Sequence, residues 1–392
     1  MNSLLRRCFL YALAFLARLF ARRHSAHPPA RVLVIKPDHL GDVLLATPAL
    51  SALRQVLPDS HITALVGPWA RAALAANPHI DTLQMLPFPG FERQPSGARY
   101  ALSIIQPYIT LLRYALILRH AHYDTAIVLR DDHWWGAALA LLAGIPRRIG
   151  YAVPECRPFL TDVLPWDRDE HVTVQGLRLV ARLIDIKKDD RTASSFILHP
   201  SSFIPSASDA AWADAWLRSN EIAERRLVVI HPGTGGQSKL WLSERWAALG
   251  DKLIDISGCH VVVTGGPGEA DLVAAVAGAM RDGATTLVGA TTVGQLAALL
   301  ARATLVLGVD SGPLHLAAAV GAPSLHLYGP GDDRRFGPWG DPQRHVVLRS
   351  GLWCSPCGVF SACPRSTRPS ECMERITTRA VLAAAQQLLA AV

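Results

Sequence analysis

The stretch Thr304-Leu-Val-Leu-Gly-Val-Asp-Ser-Gly-Pro-Leu-His-Leu-Ala-Ala-Ala319 predicts a strand, a tight turn and a helix in immediate succession. Its first six residues have the apolar character of a strand that is buried on both faces. The proline suits the first turn of a helix, and the small serine and glycine leave backbone N–H groups uncovered. Because a helix start of this kind attracts anions, the sequence predicts a phosphate site here. The residues expected to line it are Asp310, Ser311, Gly312 and His315.

The same alternation of short Val- and Ile-rich runs with longer Ala- and Leu-rich runs continues along the chain. It is typical of β-α-β units around a parallel sheet, and it predicts an α/β protein with two Rossmann-like, doubly wound domains. Ligands of such sheets bind at the carboxyl ends of the strands, here in the cleft that we expect between the two domains. The main predicted strands are 31–36, 61–66, 123–129, 148–151, 227–230, 259–264, 285–288, 304–309 and 323–327, and the main predicted helices are 41–57, 134–143, 172–184, 209–219 and 377–389.

The pattern divides the chain into five segments, since 392 residues exceed what one hydrophobic core supports. A polar stretch containing Ser and Pro separates the two alternating series, and we place the interdomain linker there. The last helix is long enough to cross back to the first domain. The segments are 1–30 (an N-terminal segment), 31–190 (the first domain), 191–226 (the linker), 227–376 (the second domain) and 377–392 (the C-terminal helix).

The charge balance favours anionic partners, because the formal net charge is +7. No block of Lys and Arg with interleaved aromatic residues is present, which argues against nucleic acid. Residues 1–30 combine five arginines with an apolar run that is too short to span a bilayer and lacks a signal-peptide cleavage site. We expect this segment to form a basic amphipathic helix on an anionic membrane surface. The alternative is a helix packed on the protein itself.

Three further turns follow predicted strands and carry polar residues. In His231-Pro-Gly-Thr-Gly-Gly-Gln-Ser-Lys239, three glycines open the backbone to an anion and the lysine adds a charge, although a flexible loop with a solvated lysine is the alternative. In Gly265-Gly-Pro-Gly-Glu269, the carboxylate either binds ribose hydroxyls or only complements a helix dipole. In Gly41-Asp42, the aspartate either points into the cleft or caps the first helix.

Four of the seven cysteines lie close together, at Cys354, Cys357, Cys363 and Cys372. A Cys-x-x-Cys pair followed by two more cysteines can bind structural zinc. Disulfides and reduced, packed thiols are the alternatives, and thiols are favoured in a cytosolic protein. The segment Asp131-Asp-His133 also holds metal-binding residue types, but it falls where a helix should start, so we expect it to cap that helix.

Several of these motifs together, in this order, closely resemble the ADP-heptose:lipopolysaccharide heptosyltransferase family, glycosyltransferase family 9. The resemblance runs from Arg31 to about Ile376. It implies a GT-B fold, an inverting transfer of heptose from ADP-heptose to a lipopolysaccharide core acceptor, and no cofactor or metal at the reaction centre. It also implies a peripheral protein on the cytoplasmic face of the inner membrane, with a lipid-linked oligosaccharide as acceptor. The motifs are 41–50, 231–239, 310–315 and 328–330.

The resemblance also implies roles for individual residues. Asp42 would be the general base that takes the proton of the acceptor hydroxyl. The donor's phosphates and ribose would be held by Thr234, Gly235, Lys239, Glu269, Asp310, Ser311, Gly312 and His315. The chain departs from the family at Pro37-Asp-His39, where relatives often carry small hydroxyl residues, so the acceptor contacts near this position are left open.

Two other functions remain to be compared with this one. A nucleotide-sugar epimerase of similar architecture would act on the donor without any acceptor, so assays with and without acceptor separate the two. A non-catalytic nucleotide-sugar binding protein would keep only the phosphate turn, and the presence of both Asp42 and Lys239 argues against it.

Overall fold

The computed structural model describes residues 11–12, 14–15, 28–91, 106–184, 200–365 and 370–391. The chain divides into two compact units, Met1–Ile197 and Leu198–Val392. The amphipathic helix predicted within residues 1–30 lies almost wholly outside the described residues. Across the described ranges, no helix is both long enough and apolar enough to cross a membrane.

The first unit is built on a six-stranded parallel sheet in the order β3-β2-β1-β4-β5-β6, which is the strand order of a Rossmann-type doubly wound fold. Its strands are β1 (Arg31–Lys36), β2 (His61–Val66), β3 (Thr82–Met85), β4 (Thr125–Val128), β5 (Arg147–Tyr151) and β6 (Asp162–Leu164). Its helices are α1 (Leu40–Leu44), α2 (Thr47–Val56), α3 (Arg71–Leu74), α4 (Gln106–His120), α5 (Trp134–Leu142) and α6 (Val172–Ala181), with short 3-10 turns at Pro68–Ala70, Arg157–Phe159 and Arg182–Ile184.

The second unit repeats this topology, because its order β12-β11-β10-β7-β8-β9 is the same sequence of strands counted from β7. Its strands are β7 (Leu227–His231), β8 (His260–Gly265), β9 (Thr285–Val288), β10 (Leu305–Val309), β11 (Ser324–Tyr328) and β12 (His345–Arg349). Its helices are α7 (Ala207–Ser219), α8 (Ser243–Ser257), α9 (Ala270–Ala279), α10 (Val293–Leu300), α11 (Gly312–Ala319), α12 (Asp333–Phe336), α13 (Glu371–Glu374) and α14 (Thr378–Ala390), with 3-10 turns at Gln237–Lys239 and Pro267–Glu269.

The central strands of both sheets are almost continuously buried. Five of the six residues of β1 and all five residues of β10 are buried. Parallel strands take this character because helices cover both faces of their sheet. In the second unit the core includes Trp241 and Trp246, whose rings meet edge to face with centroids 4.7 Å apart. Two α/β units with parallel, doubly wound sheets therefore confirm the predicted fold class.

In each unit the strand order reverses between the first and the fourth strand. This switch point lies between β1 and β4 in the first unit and between β7 and β10 in the second. Loops that leave adjacent strands in opposite directions open a crevice at the carboxyl ends, and ligands bind there. The predicted site residues follow β1, β7 and β10, except Glu269, which follows β8. The topology therefore places most of them where a ligand is expected.

The helix predicted at 41–57 is in fact two helices, α1 and α2, and the prediction of one helix was wrong. Pro48 occupies the first turn of α2. A proline has no N–H to donate to the preceding turn, so the helix cannot run through it. The Thr47 hydroxyl donates instead to the Leu44 carbonyl at 2.7 Å, which closes the end of α1.

The two ends of the second unit depart from the predicted boundaries. Part of the predicted linker, 191–226, forms α7 within the second unit. This helix starts two residues before the predicted position because Ser206 and Asp209 form a capping box around its first turn. The C-terminal helix α14 lies against α8 and places Val381, Ala385 and Leu388 in the core of the second unit, and its return to the first domain stays a prediction.

Candidate active site

The predicted phosphate-binding residues of the second unit meet at the carboxyl ends of β7 and β10. The Lys239 ammonium lies 2.7 Å from Oδ2 of Asp310, and both side chains are mostly buried. The Thr234 hydroxyl donates to the Asp310 carbonyl at 2.9 Å. The loop after β7 and the turn after β10, which are 71 residues apart at the lysine and the aspartate, thus form one local structure.

The helix α11 begins directly at this structure. Its N-cap residue Ser311 makes no side-chain capping hydrogen bond, and the Ser311 hydroxyl is buried with no partner in the described part of the protein. Pro313 removes one N–H from the first turn, so the N–H groups of Gly312 and Leu314 are those that the helix start offers. A cation and a helix N-terminus that adjoin in this way suit a diphosphate.

His315 lies one turn further along α11 and is 6% exposed. Burial lowers its pKa below the ordinary value, while the Asp310 carboxylate raises it and the Lys239 ammonium lowers it. The imidazole is therefore neutral at pH 7 and close enough to the Lys239–Asp310 pair to respond to its charges. Its Nδ1 atom has no hydrogen-bond partner among the described residues.

Glu269 lies over the loop that contains Lys239. Its carboxylate accepts the Gly266 N–H at 2.7 Å and lies 3.6 Å from Nε2 of His231. A Cβ atom on Gly233 would stand 2.1 Å from Oε1 of Glu269, so only glycine permits this approach. The carboxylate caps its own helical turn and at the same time borders the loop 231–239, which we call the phosphate loop after its predicted role. A role at the donor ribose stays a prediction.

The phosphate loop is supported by a segment whose role sequence reasoning missed. The Ser238 hydroxyl donates to the Val359 carbonyl at 2.7 Å, and the Ser238 N–H donates to the Phe360 carbonyl at 3.4 Å. The Phe360 ring lies 4.4 Å from the Lys239 ammonium, within range of a cation–π interaction. No sequence motif predicts the contacts between these two segments, because 121 residues separate Ser238 from Val359.

The four clustered cysteines belong to this supporting segment and line one pocket beside Ser238 and Pro330. All of them are free thiols in the structure. Within the described ranges, no three His, Cys, Asp or Glu side chains are placed to hold a metal ion. The choice among structural zinc, disulfides and reduced thiols for Cys354, Cys357, Cys363 and Cys372 stays a prediction.

In the first unit, Asp42 lies in the first turn of α1, just after β1. The N-cap of that helix is His39, so Asp42 is not the capping residue that the sequence offered as an alternative. It is partly buried and lines a small cavity together with Lys36 and Gly176. The carboxylate is thus presented at the switch point between β1 and β4.

A buried charge cluster that sequence reasoning missed adjoins this position. Asp38 is 2% exposed and forms ion pairs with Lys36, at 3.0 Å, and with Arg130. Burial alone would raise the pKa of Asp38, but the two cations together outweigh burial and lower this pKa to about 2. Lys36 ends β1 and Arg130 follows β4, so the position of both at the switch point was the signal that could have revealed them.

The predicted capping role of Asp131-Asp-His133 is confirmed at His133. Its Nδ1 atom accepts the Gly136 N–H at the start of α5. Burial lowers the pKa of His133 to about 4, so the ring is neutral. Asp132 pairs with Arg130 at 2.6 Å. The segment is structural in the described geometry.

The chain matches a known family over more than half of its length. The model of glycosyltransferase family 9 (heptosyltransferase) matches residues 111–362, which include the loop 231–239, the start of α11, and Cys354 and Cys357. The chain belongs to this family. It is therefore a glycosyltransferase, as the resemblance implied.

Relatives of known function in this family are similar over most of the chain. Lipopolysaccharide heptosyltransferase 3 of Escherichia coli is 28% identical over 312 residues, which are 76% of this chain and 83% of that protein. Lipopolysaccharide heptosyltransferase 2 of Escherichia coli K12 is 26% identical over 333 residues, which are 82% of this chain and 89% of that protein.

Solved structures of the family have the same fold. A family 9 glycosyltransferase from Veillonella parvula superposes with a TM-score of 0.74 at 23% identity and covers 95% of this chain and 100% of its own. ADP-heptose lipopolysaccharide heptosyltransferase II of Escherichia coli superposes with a TM-score of 0.70 at 22% identity, covering 92% and 99%. These likenesses and the two parallel sheets confirm the GT-B fold.

Proposed function

We propose that this glycosyltransferase transfers heptose from ADP-heptose to a lipid-linked lipopolysaccharide core acceptor, with inversion and without a metal at the reaction centre. The observation that carries the proposal is the Lys239–Asp310 pair at the start of α11. It joins a cation to a helix N-terminus at the position where a doubly wound sheet binds nucleotides. The names of the relatives support heptose as the sugar and lipopolysaccharide as the acceptor.

The donor half of the reaction requires charge stabilisation. When the bond between the heptose anomeric carbon and the diphosphate breaks, the electron pair leaves with ADP and negative charge grows on the phosphate. Lys239, the Gly312 N–H and the Leu314 N–H are fixed before the donor arrives, so they stabilise that charge with little rearrangement. Thr234 contributes by holding the turn after β10 through the Asp310 carbonyl.

The acceptor half requires a base. In the proposal, the Asp42 carboxylate takes the proton from the acceptor hydroxyl as that oxygen bonds to the anomeric carbon from the side opposite the leaving diphosphate. A single displacement of this kind inverts the anomeric configuration. Because the proposed acceptor is anchored in lipid, we place the enzyme at the cytoplasmic face of the inner membrane.

The experiment that tests the proposal measures product formation from defined donors. Purified enzyme is incubated with ADP-heptose or a UDP-hexose, with and without a heptose-deficient lipopolysaccharide acceptor, and products are identified by mass spectrometry. We expect a mass increase of one heptose only with ADP-heptose and acceptor together, and the same rate after treatment with EDTA. Isomerised donor without acceptor would support an epimerase, and loss of activity with EDTA would contradict the metal-free mechanism.

A further inference from the structure

One helix of the first unit exposes an apolar surface that the catalytic proposal does not use. In α4, five large hydrophobic side chains are between 38% and 63% exposed. They amount to a third of the fifteen large hydrophobic side chains that are exposed in the described part of the chain. We call this surface the α4 face. It consists of Tyr108, Ile109, Leu112, Leu116 and Ile117.

The α4 face is the outward side of a helix that carries apolar residues on both its buried and its exposed sides. Residues 108, 112 and 116 follow one another at intervals of four, so they form a row along the helix, with Ile109 beside it. The opposite side carries the buried residues Leu111, Ala115 and Leu118, and α4 packs on α5. Packing on α5 therefore covers only the narrow stripe of the helix that carries these buried residues. An exposed apolar patch of five large side chains on a folded protein marks a binding surface.

The charge on α4 identifies the kind of partner. Its fifteen residues include no Asp or Glu, and they include Arg113, Arg119 and His120. Arg113 is exposed on the same outward half of the helix as the α4 face. Apolar side chains with flanking cations and no acidic residue are the composition of helices that lie in the interface of an anionic bilayer.

We propose that the α4 face docks on an anionic lipid bilayer, with α4 parallel to the membrane plane. Leu112 and Leu116 enter the boundary between headgroups and acyl chains, and Arg113 contacts the lipid phosphates. A contact between two proteins of ordinary stability buries about 800 Å² on each partner, more than one row of side chains supplies, whereas a bilayer accepts a single helix. The inference rests on the proposed function in one respect, since a lipid-linked acceptor must be met at a membrane.

The test measures binding of the full-length protein to vesicles, without donor or acceptor. Vesicles of phosphatidylcholine alone and of phosphatidylcholine with phosphatidylglycerol are sedimented with the wild-type protein, with the double variant Leu112→Ser/Leu116→Ser and with Arg113→Gln. We expect the double variant to lower the partition coefficient on the anionic vesicles at least about tenfold, because two leucines no longer enter the bilayer. Arg113→Gln should weaken binding several-fold, and only on the anionic vesicles.

The matched control is Ile256→Ser, which removes a side chain that is 53% exposed on α8 of the second unit. It should bind vesicles as the wild type does. Equal thermal unfolding of all variants shows that they fold. The proposal is overturned if the double variant binds like the wild type, or if Phe15→Ser alone removes binding, which would assign it to the N-terminal segment. It is also overturned if the double variant converts a lipid-free dimer to a monomer in sedimentation velocity. Vesicle binding needs no catalysis, so its failure and the failure of heptose transfer are separate results.

Discussion

The Lys239 ammonium and the Asp310 carboxylate, which follow different strands of the second sheet, lie 2.7 Å apart at the start of α11. The pair is largely shielded from water, so the carboxylate holds the ammonium at the helix N-terminus before any donor is present. A diphosphate that enters meets a cation whose position is already fixed. Binding then costs less side-chain entropy than it would with a free lysine.

Replacing Lys239 with alanine should weaken donor binding. The variant removes the cation beside the helix start, and a lost charge-assisted contact costs roughly 1.5–3 kcal/mol. We expect the dissociation constant of ADP, measured by titration calorimetry, to rise at least about tenfold. Lys252→Ala, on the exposed side of α8, is the control and should bind ADP normally. Unchanged affinity in Lys239→Ala would remove the lysine from the donor site.

Replacing Asp42 with asparagine should stop transfer and leave donor binding intact. The substitution keeps the shape of the side chain but removes the base, which typically contributes about 10²- to 10⁴-fold to the rate. The measurements are kcat for heptose transfer and the dissociation constant of ADP. Asp59→Asn changes an exposed aspartate in the turn before β2 and should leave both values unchanged. A fully active Asp42→Asn enzyme would refute the base assignment.

Replacing Gly233 with alanine should impair the donor site through Glu269. The new methyl group would overlap the Glu269 carboxylate, which can move because it is the end of a flexible side chain. We expect a folded protein with several-fold weaker ADP binding. Gly268→Ala is the matched control, since a methyl group at Gly268 meets no atom within 4 Å.

A double-variant comparison tells whether Gly233 acts through that carboxylate. In a Glu269→Ala background, adding Gly233→Ala should have little further effect on ADP binding, because the group that it displaces is already gone. Effects that add fully would mean that the loop itself is disturbed and that Glu269 has no part in the change.

The second unit should lose stability in mild acid because it buries neutral histidines. Burial, with a further contribution from Arg344, lowers the pKa of His345 to about 4, and burial also lowers the pKa of His315 and of His326. A histidine whose pKa is lower in the folded state stabilises the fold fully above its unfolded pKa. That contribution is lost as the pH falls from about 6.5 towards the folded pKa.

The measurement is urea unfolding between pH 7 and pH 4.5. His345 alone should cost about 1.4 kcal/mol for each pH unit between 6.5 and its folded pKa of about 4. His345→Gln should flatten this dependence. An equally steep dependence in His345→Gln would show that other groups cause the acid sensitivity.

The parts of this structure that follow from local pattern could be predicted from the sequence. The strands from β1 to β11 that lie at the sheet centres were recognised because a strand buried on both faces is apolar throughout. Of the four edge strands, β3, β6 and β12 were missed and β9 was predicted, although all four are mostly only partly buried. The helix α4 was missed because apolar residues cover both its buried and its exposed sides and blur the helical period.

The candidate site also has parts that could be predicted from the sequence and parts that were missed. The turn at Asp310 and the loop at Lys239 each carry their own glycines, so each could be predicted alone, and the parallel topology explains why they meet. The pairing of Asp38 with Arg130 was missed although both follow strands at the switch point, whereas the contact of Phe360 with Lys239 joins segments 121 residues apart that no such rule brings together. Only tertiary packing specifies such a contact.

The repeated strand order gives the enzyme a modular construction. Each unit has its own six-stranded sheet and its own crevice, and neither sheet contains a strand from the other unit. Under the proposed function, changes in the loops of the first unit would alter the choice of acceptor while the second unit keeps its nucleotide specificity. Chimeras that exchange whole units between relatives at the boundary near residue 197 would combine the proposed acceptor specificity of one relative with the proposed donor specificity of another.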